Sequence, residues 1–186
     1  AEGATDTEAT TPALIPADPS SKAVPIDGCE KVPFEPAFEV AAGAVTDSPA
    51  AVSATLKVPQ SGPGNAMEIN SSTVKRAAVS MPVGLGLNPA GAEPLLACKD
   101  SEFPDGPGQR GPISCPPQSQ LGTVSIQTPV LPQNSLPGKV FLAEQKSRDP
   151  ESGQLYRIFV NAVSGRYGVD VRLRGNVVAD RATGRL

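Results

Sequence analysis

The sequence contains no histidine and no tryptophan, and only two tyrosines and five phenylalanines occur among its 186 residues. Without an imidazole, a histidine-based serine or cysteine triad, a histidine zinc site and a histidine proton relay are all excluded. The small number of aromatic rings leaves little surface on which sugars or bases could stack. These absences exclude several of the commonest catalytic and binding mechanisms.

Long apolar runs and blocks of basic residues are also lacking. No unbroken run of apolar side chains is longer than four residues, as at Val140–Ala143, so no transmembrane segment is predicted. Lys and Arg number 16 against 19 Asp and Glu, a net charge of -3, which provides no positive surface for nucleic acid. Proline and glycine are abundant, with 21 and 18 copies, and they predict a chain rich in loops and turns.

The first twenty residues differ in composition from the rest of the chain. Residues 1–20 contain acidic side chains and no basic one, among Pro, Ala, Thr and Ser. We predict that they form a disordered acidic linker, because they cannot bury enough apolar surface to offset the entropy lost on ordering. Residues 21–186 are predicted to form a single module.

From about residue 22 onward, apolar and polar side chains alternate, which is the pattern of half-buried β-strands. In the clearest case we expect Val169, Val171 and Leu173 to face the core, while Arg172 and Arg174 face water. About eight short strands are predicted, near residues 37–42, 52–58, 73–81, 122–127, 139–143, 155–163, 169–174 and 176–179. No capped amphipathic helix of ten or more residues is found, so the predicted fold is all-β, a two-sheet antiparallel β-sandwich with long Pro/Gly-rich loops.

Two turns can be predicted from residue type. Asp149–Gly153 and Asp180–Gly184 each begin with Asp and end with Gly, which tolerates a positive φ. The second turn requires a returning strand, and the given sequence ends two residues after it. We therefore expect the module to be truncated at its C-terminal end.

Three cysteines are present, Cys29, Cys98 and Cys115, with no C-x-x-C pair and too few ligands for a zinc site. Cys98 and Cys115 enclose a segment rich in Pro and Gly. A disulfide between them is favoured over two free thiols, and it would imply an oxidising compartment. Cys29 is then predicted to be an unpaired thiol.

Clusters of carboxylates suggest a cation site or a hydrolase, but a structural role is favoured for each. Asp100, Glu102 and Asp105 lie in the acidic loop 100–105, where calcium could bind; their spacing matches no EF-hand, and a solvated loop is favoured. Two further pairs could in principle act as glycosidase carboxylates, although nothing in the sequence brings either pair together: Asp149 with Glu151, and Asp170 with Asp180. No catalytic, cofactor-binding or metal-binding residue is predicted.

An arginine row is the remaining charged feature. Arg172 and Arg174 share one face of a predicted strand, and Arg157 is placed on a neighbouring strand. Such a row could bind a polyanion. Protection of an edge strand against unwanted pairing is the favoured interpretation.

Five segments of the chain are distinctive in sequence and order, and they lie at 28–38, 81–89, 120–124, 138–143 and 180–186. They are similar to the motifs G-C-x-x-[LV]-P-F-x-P-x-F, P-x-G-L-x-x-N-P, S-x-I-G-T-V, G-x-V-Y-L-A and D-P-x-T-G-x-L, with Arg181 in place of the last motif's proline. In these motifs the chain resembles a module found in tandem in large secreted actinobacterial proteins of uncharacterised function. The resemblance covers roughly residues 24–186. It implies export, an all-β module, neighbouring modules as partners, and a cysteine beyond residue 186 as a candidate partner for Cys29.

The leading functional expectation is a non-enzymatic β module of a larger repeat protein, secreted or on the cell surface, with a structural or adhesive role. A cell-envelope polymer or a protein is its expected ligand, and neither nucleic acid nor a cofactor is expected. The alternative is a carbohydrate- or ligand-binding β-sandwich, for which Phe103, Tyr156 and Tyr167 are the candidate contacts. A carboxylate-dependent hydrolase is the third possibility.

Overall fold

The computed structural model describes residues 31–43, 45, 50–60, 69–72, 74–81, 84, 86, 95–106 and 111–186. These residues form six strands in two antiparallel sheets, so the fold is all-β as predicted. The strands are β1 (Ala37–Ala42), β2 (Val52–Lys57), β3 (Gln120–Ile126), β4 (Leu136–Ala143), β5 (Tyr156–Ser164) and β6 (Val169–Val177). Within this part of the chain, the named helical elements are three short 3-10 helices, at Asp100–Glu102, Pro117–Ser119 and Pro150–Ser152. None of the described helices is long and apolar enough to cross a bilayer.

The two-stranded sheet is an amphipathic hairpin of β1 and β2. Its register pairs Phe38 with Leu56 on an apolar side and Glu39 with Thr55 on a polar side. On the polar side, Lys57 Nζ lies 2.9 Å from the Glu39 carboxylate. Phe38 and Leu56 are 41% and 45% exposed, so the described residues leave the apolar side of this hairpin largely uncovered.

The four-stranded sheet is a meander in the order β3-β4-β5-β6. The predicted turn at Asp149–Gly153 connects β4 to β5: the Asp149 carboxylate accepts a hydrogen bond from the Glu151 amide, and Gly153 has a φ of 66°. Gly138 in β4 allows the strands to approach closely, because a Cβ there would lie 2.1 Å from the Asn161 carbonyl oxygen. A side chain at this position would push β4 away from β5.

Alternation along the strands gives the four-stranded sheet two different faces. The loop face contains Phe141, Arg157, Phe159, Arg172 and Arg174, which the strand register places on one side. The aliphatic face contains the residues between them, including Val140, Leu142, Ile158, Val160, Val171 and Leu173.

The largest buried cluster lies on the loop face, while Leu136 and Ala162 are buried on the aliphatic face. The segment 98–115 is hereafter the disulfide loop, and its described residues, 98–106 and 111–115, cover the loop face. Cys98, Phe103, Phe141, Ala143 and Phe159 form one buried cluster. The predicted orientation of β6 is therefore wrong at Arg172 and Leu173, although Val169 and Val171 are half-buried and Arg174 is partly exposed. Leu173 is 51% exposed, whereas the Arg172 side chain is mostly buried. The arginines face the covered side because the disulfide loop supplies carboxylates and a carbonyl that pair with them.

Two predicted strands differ in the structure. Residues 74–81 form no strand within the described region, although the sequence predicted one at 73–81. The separate strand predicted at 176–179 is instead the end of β6, which continues to Val177. The other predicted strands form within a few residues of the expected bounds, and β1 has the predicted ones.

Candidate functional site

The disulfide loop is attached to the sheet at both its backbone and its cysteines. The sulfur atoms of Cys98 and Cys115 lie 1.99 Å apart, at bonding distance, which is the pairing expected from the sequence. The Cys98 amide donates to the Leu142 carbonyl and the Cys98 carbonyl accepts from the Glu144 amide, each at 2.8 Å. Cys98 thus forms an isolated β-bridge with the end of β4, so the loop begins as part of the sheet. Cys29 lies outside the described residues, and its free thiol stays a prediction.

Phe103 fills the centre of the interface between the disulfide loop and the sheet. Its ring stacks on that of Phe159, with centroids 4.4 Å apart and an angle of 13° between the ring planes. Both side chains are fully buried. Phe103 therefore cannot contact a ligand at the surface as the alternative interpretation required. The other two candidate aromatics are separated by the length of β5, about 25 Å by the rise of a strand, since Tyr156 begins β5 and Tyr167 follows its end.

Asp100 is the acidic centre of the ion pairs that fix the loop. Its Oδ1 lies 3.0 Å from both Arg157 Nη2 and Arg174 Nη1, and its Oδ2 lies 3.2 Å from Lys146 Nζ. Arg157, only 6% exposed, also donates to the Glu144 carbonyl at 2.8 Å. A buried guanidinium needs such partners, because leaving its charge unpaired in the interior is costly.

Asp105 completes what we call the Asp–Arg cluster, formed by Asp100, Asp105, Arg157 and Arg174. Arg174 binds the Asp105 carboxylate through both Nε, at 2.5 Å, and Nη2, at 2.6 Å. The guanidinium carbons of Arg174 and Arg157 lie 5.0 and 5.5 Å from the centroid of the Phe159 ring, which adds cation–π attraction. The cluster thus surrounds the stacked aromatic pair with charge-assisted contacts.

Arg172 extends this contact along β6. It donates to the Pro104 carbonyl of the disulfide loop and to the Asp170 carboxylate, the latter at 2.6 Å through Nη2. The three arginines therefore attach the loop to the sheet, a role that the sequence did not predict. Because β6 is the edge strand of the sheet, protection of its edge by the arginine row stays a prediction.

The pKa values of the two aspartates follow from this environment. Partial burial raises the pKa of Asp100, but hydrogen bonds and charges from Arg157 and Lys146 outweigh it and hold the pKa below its usual value. The bidentate hydrogen bond from Arg174 lowers the pKa of Asp105 in the same way. Both carboxylates are therefore ionised at neutral pH, the state in which they bind the arginines.

The candidate cation site and the carboxylate pairs do not assemble into catalytic or metal-binding geometry. Asp100 and Asp105 point at arginines, while Glu102 accepts from the Lys99 amide at 2.8 Å. In the described ranges, no group of three potential ligands could hold a metal ion. The loop is thus held by cations of the chain itself, which differs from the solvated loop that the sequence favoured.

The two possible glycosidase pairs are unsuited for different reasons. Asp170 and Asp180 stand at opposite ends of β6, about 30 Å apart by the rise of a strand, against the 5–10 Å of known pairs. Asp149 and Glu151 are close in sequence, but Arg181 binds Asp149 at 2.7 Å and lies 3.7 Å from Glu151. The hydrogen bond from Arg181 lowers the pKa of Asp149, the opposite of what a general acid needs.

The Asp–Arg cluster as a unit was not found from the sequence. The sequence did contain the oppositely charged residues of the cluster. The aspartates lie between two cysteines, and the arginines lie on strands much later in the chain. No local rule joins residues that are more than fifty positions apart.

The chain matches no protein-family model, and no curated protein and no solved structure matches it either.

Proposed function

We propose that this chain is a non-enzymatic β module of a larger extracellular or cell-surface repeat protein, with a structural or adhesive role. The observation that carries the proposal is the attachment of the disulfide loop to the sheet. A covalent bond, a buried aromatic stack and the Asp–Arg cluster all act on one loop. Such reinforcement suits a domain that must keep its shape outside the cell, where disulfides persist.

The ion pairs formed by the carboxylates also support a structural role. The carboxylates that a hydrolase would need are bound by arginines, and the pKa values of Asp100, Asp105 and Asp149 are lowered. A general acid requires a raised pKa in order to carry a proton at neutral pH. The side chains instead contribute to the cohesion of the module.

The disulfide and the adhesive role can be tested together on the purified chain. We expect protein produced in an oxidising compartment to contain the Cys98–Cys115 bridge, to be retained on insoluble cell-envelope polymer, and to release no soluble sugar from it. Hydrolysis of a polysaccharide panel that disappears in an Asp149→Asn variant, and persists in an Asp100→Asn variant, would contradict the proposal. Retention that requires Tyr167, which is 40% exposed, would favour the ligand-binding alternative.

A further inference from the structure

The outer edge of β6 has no partner strand among the residues that the structure describes. β6 is the last strand of the sheet and pairs with β5 on one side only. Along Val171–Val177, none of the described residues forms a backbone hydrogen bond with the opposite side. An unpaired strand edge presents a row of amides and carbonyls that can accept another strand.

The chain reverses direction immediately after β6, in a hairpin loop at Arg181–Gly184. The Asp180 amide donates to the Arg185 carbonyl at 2.9 Å, and the Gly184 amide donates to the Asp180 carbonyl at 2.8 Å. The Asp180 carboxylate accepts from the Thr183 amide at 2.7 Å, and Gly184 has a φ of 66°. Four-residue loops of this kind join antiparallel strands. Arg185 and Leu186 are therefore aligned antiparallel to the end of β6.

The hairpin loop places Arg185 and Leu186 on the outer edge of β6. Successive amides of an extended strand point to opposite sides. The Ala179 amide donates to the Pro150 carbonyl at 3.0 Å, on the side of the β4–β5 turn, so the Asp180 amide that binds Arg185 points outward.

Met81 borders the same position from the other side. Its amide donates to the Leu186 carbonyl at 2.8 Å, and its carbonyl accepts from Arg185 Nε at 3.0 Å. Leu186 therefore lies between the end of β6 and Met81, as the first residue of a strand in that place would.

We propose that the outer edge of β6 is a binding site for one extended polypeptide strand, which runs antiparallel to β6 and enters beside Leu186. Backbone hydrogen bonds to β6 supply most of the affinity, and alternate side chains supply selectivity. The strand carries aliphatic side chains on the side of Val171 and Leu173, because cross-strand neighbours pack directly together and Leu173 is 51% exposed. It carries polar side chains on the side of Arg174 and Asn176.

The test extends the full chain after Leu186 with four Thr-Val repeats. These eight residues are enough to pair one-to-one with the eight residues Val171–Val178. In this register each valine faces the side of Leu173. Four Val-Thr repeats provide a control of identical composition with the opposite phase, and a Gly-Ser extension of equal length provides a control without strand propensity.

We expect amide hydrogen exchange in Val171–Val177 to slow at least about tenfold with the Thr-Val extension, less with the Val-Thr extension, and not at all with the Gly-Ser extension. Replacing two of the threonines by proline should abolish the protection, since proline lacks the amide. Equal exchange rates with the Thr-Val and Gly-Ser extensions would overturn the proposal. Protection that rises with protein concentration, together with a doubled mass by light scattering, would also overturn it, because the edge would then pair between two copies.

Discussion

The loop face and the aliphatic face of the four-stranded sheet differ in both composition and burial. The loop face carries the arginines, yet it contains the buried cluster around Phe103 and Phe159. The aliphatic face carries most of the valines, leucines and isoleucines; Leu136 and Ala162 are buried there, whereas Leu173 at its edge is half exposed. Hydrophobicity of a face therefore does not by itself determine on which face the largest buried cluster forms. The covering element decides, and here it is a loop that carries an aromatic anchor and carboxylates complementary to the arginines.

The largest expected effect comes from removing the sheet's ring from the buried aromatic stack. Phe159→Ala should lower the free energy of unfolding by about 3–5 kcal/mol, because it removes a fully buried ring and leaves a cavity against Phe103. Leu173→Ala on the aliphatic face should cost about 1 kcal/mol or less, since half of that side chain is already exposed. Urea unfolding of both variants measures the difference. Equal losses would show that the two faces are buried to the same extent.

Opening the disulfide should have the next largest effect. The bridge closes a loop with a sequence separation of 17, so the Cys98→Ser/Cys115→Ser variant should lose about 3 kcal/mol of stability in the chain-entropy account. Reductant should lower the stability of the wild-type chain by a similar amount and leave that variant unchanged. A non-reduced peptide that links Cys29 to either cysteine would contradict the pairing.

The Asp–Arg cluster should contribute less than the bridge. Asp100→Ala removes a partner from the buried Arg157, and we expect a loss of about 2 kcal/mol. The value lies below that of a fully buried pair because the Asp100 side chain is one-third exposed. Glu39→Ala is the matched control, since its ion pair with Lys57 is exposed on both sides, and it should change stability very little. Similar losses in the two variants would show that burial adds nothing to the cluster.

The smallest effect should appear as a dependence on pH. The pKa values of Asp100 and Asp105 are lowered on folding, so the unfolded chain binds more protons as the pH falls through their ordinary value of 3.8. Stability from these groups should be fully present above that pH and decline below it. The Asp100→Asn/Asp105→Asn variant should show a shallower decline between pH 4 and pH 2 in thermal unfolding. Parallel pH profiles for the two proteins would show that these carboxylates do not cause the loss of stability at low pH.

Local sequence patterns were enough to predict most strands but not the covered face. The bounds of β1 and the turn at Asp149–Gly153 follow from alternation and from residues that favour turns, both of which act over a few positions. Alternation in β6 defined two faces without identifying which one faces the core. That choice depends on Phe103 and Asp100, which are distant in sequence. The strand predicted at 73–81 did not form among the described residues 74–81, of which Met81 alone has a backbone hydrogen bond to a distant described residue, Leu186. β propensity without an extended row of such bonds does not make a strand.

The position of the disulfide loop in the sequence also has a kinetic consequence. β3 to β6 follow one another in the chain and are joined by connections of nine, twelve and four residues, so their pairing closes local loops and can occur early in folding. The stack of Phe103 on Phe159 joins residues far apart in sequence and requires a sheet on which to dock. We therefore expect substitutions in the disulfide loop, such as Phe103→Leu, to accelerate unfolding and to leave the refolding rate almost unchanged, with φ-values near zero. The loop would then control how long the folded module lasts rather than how quickly it forms.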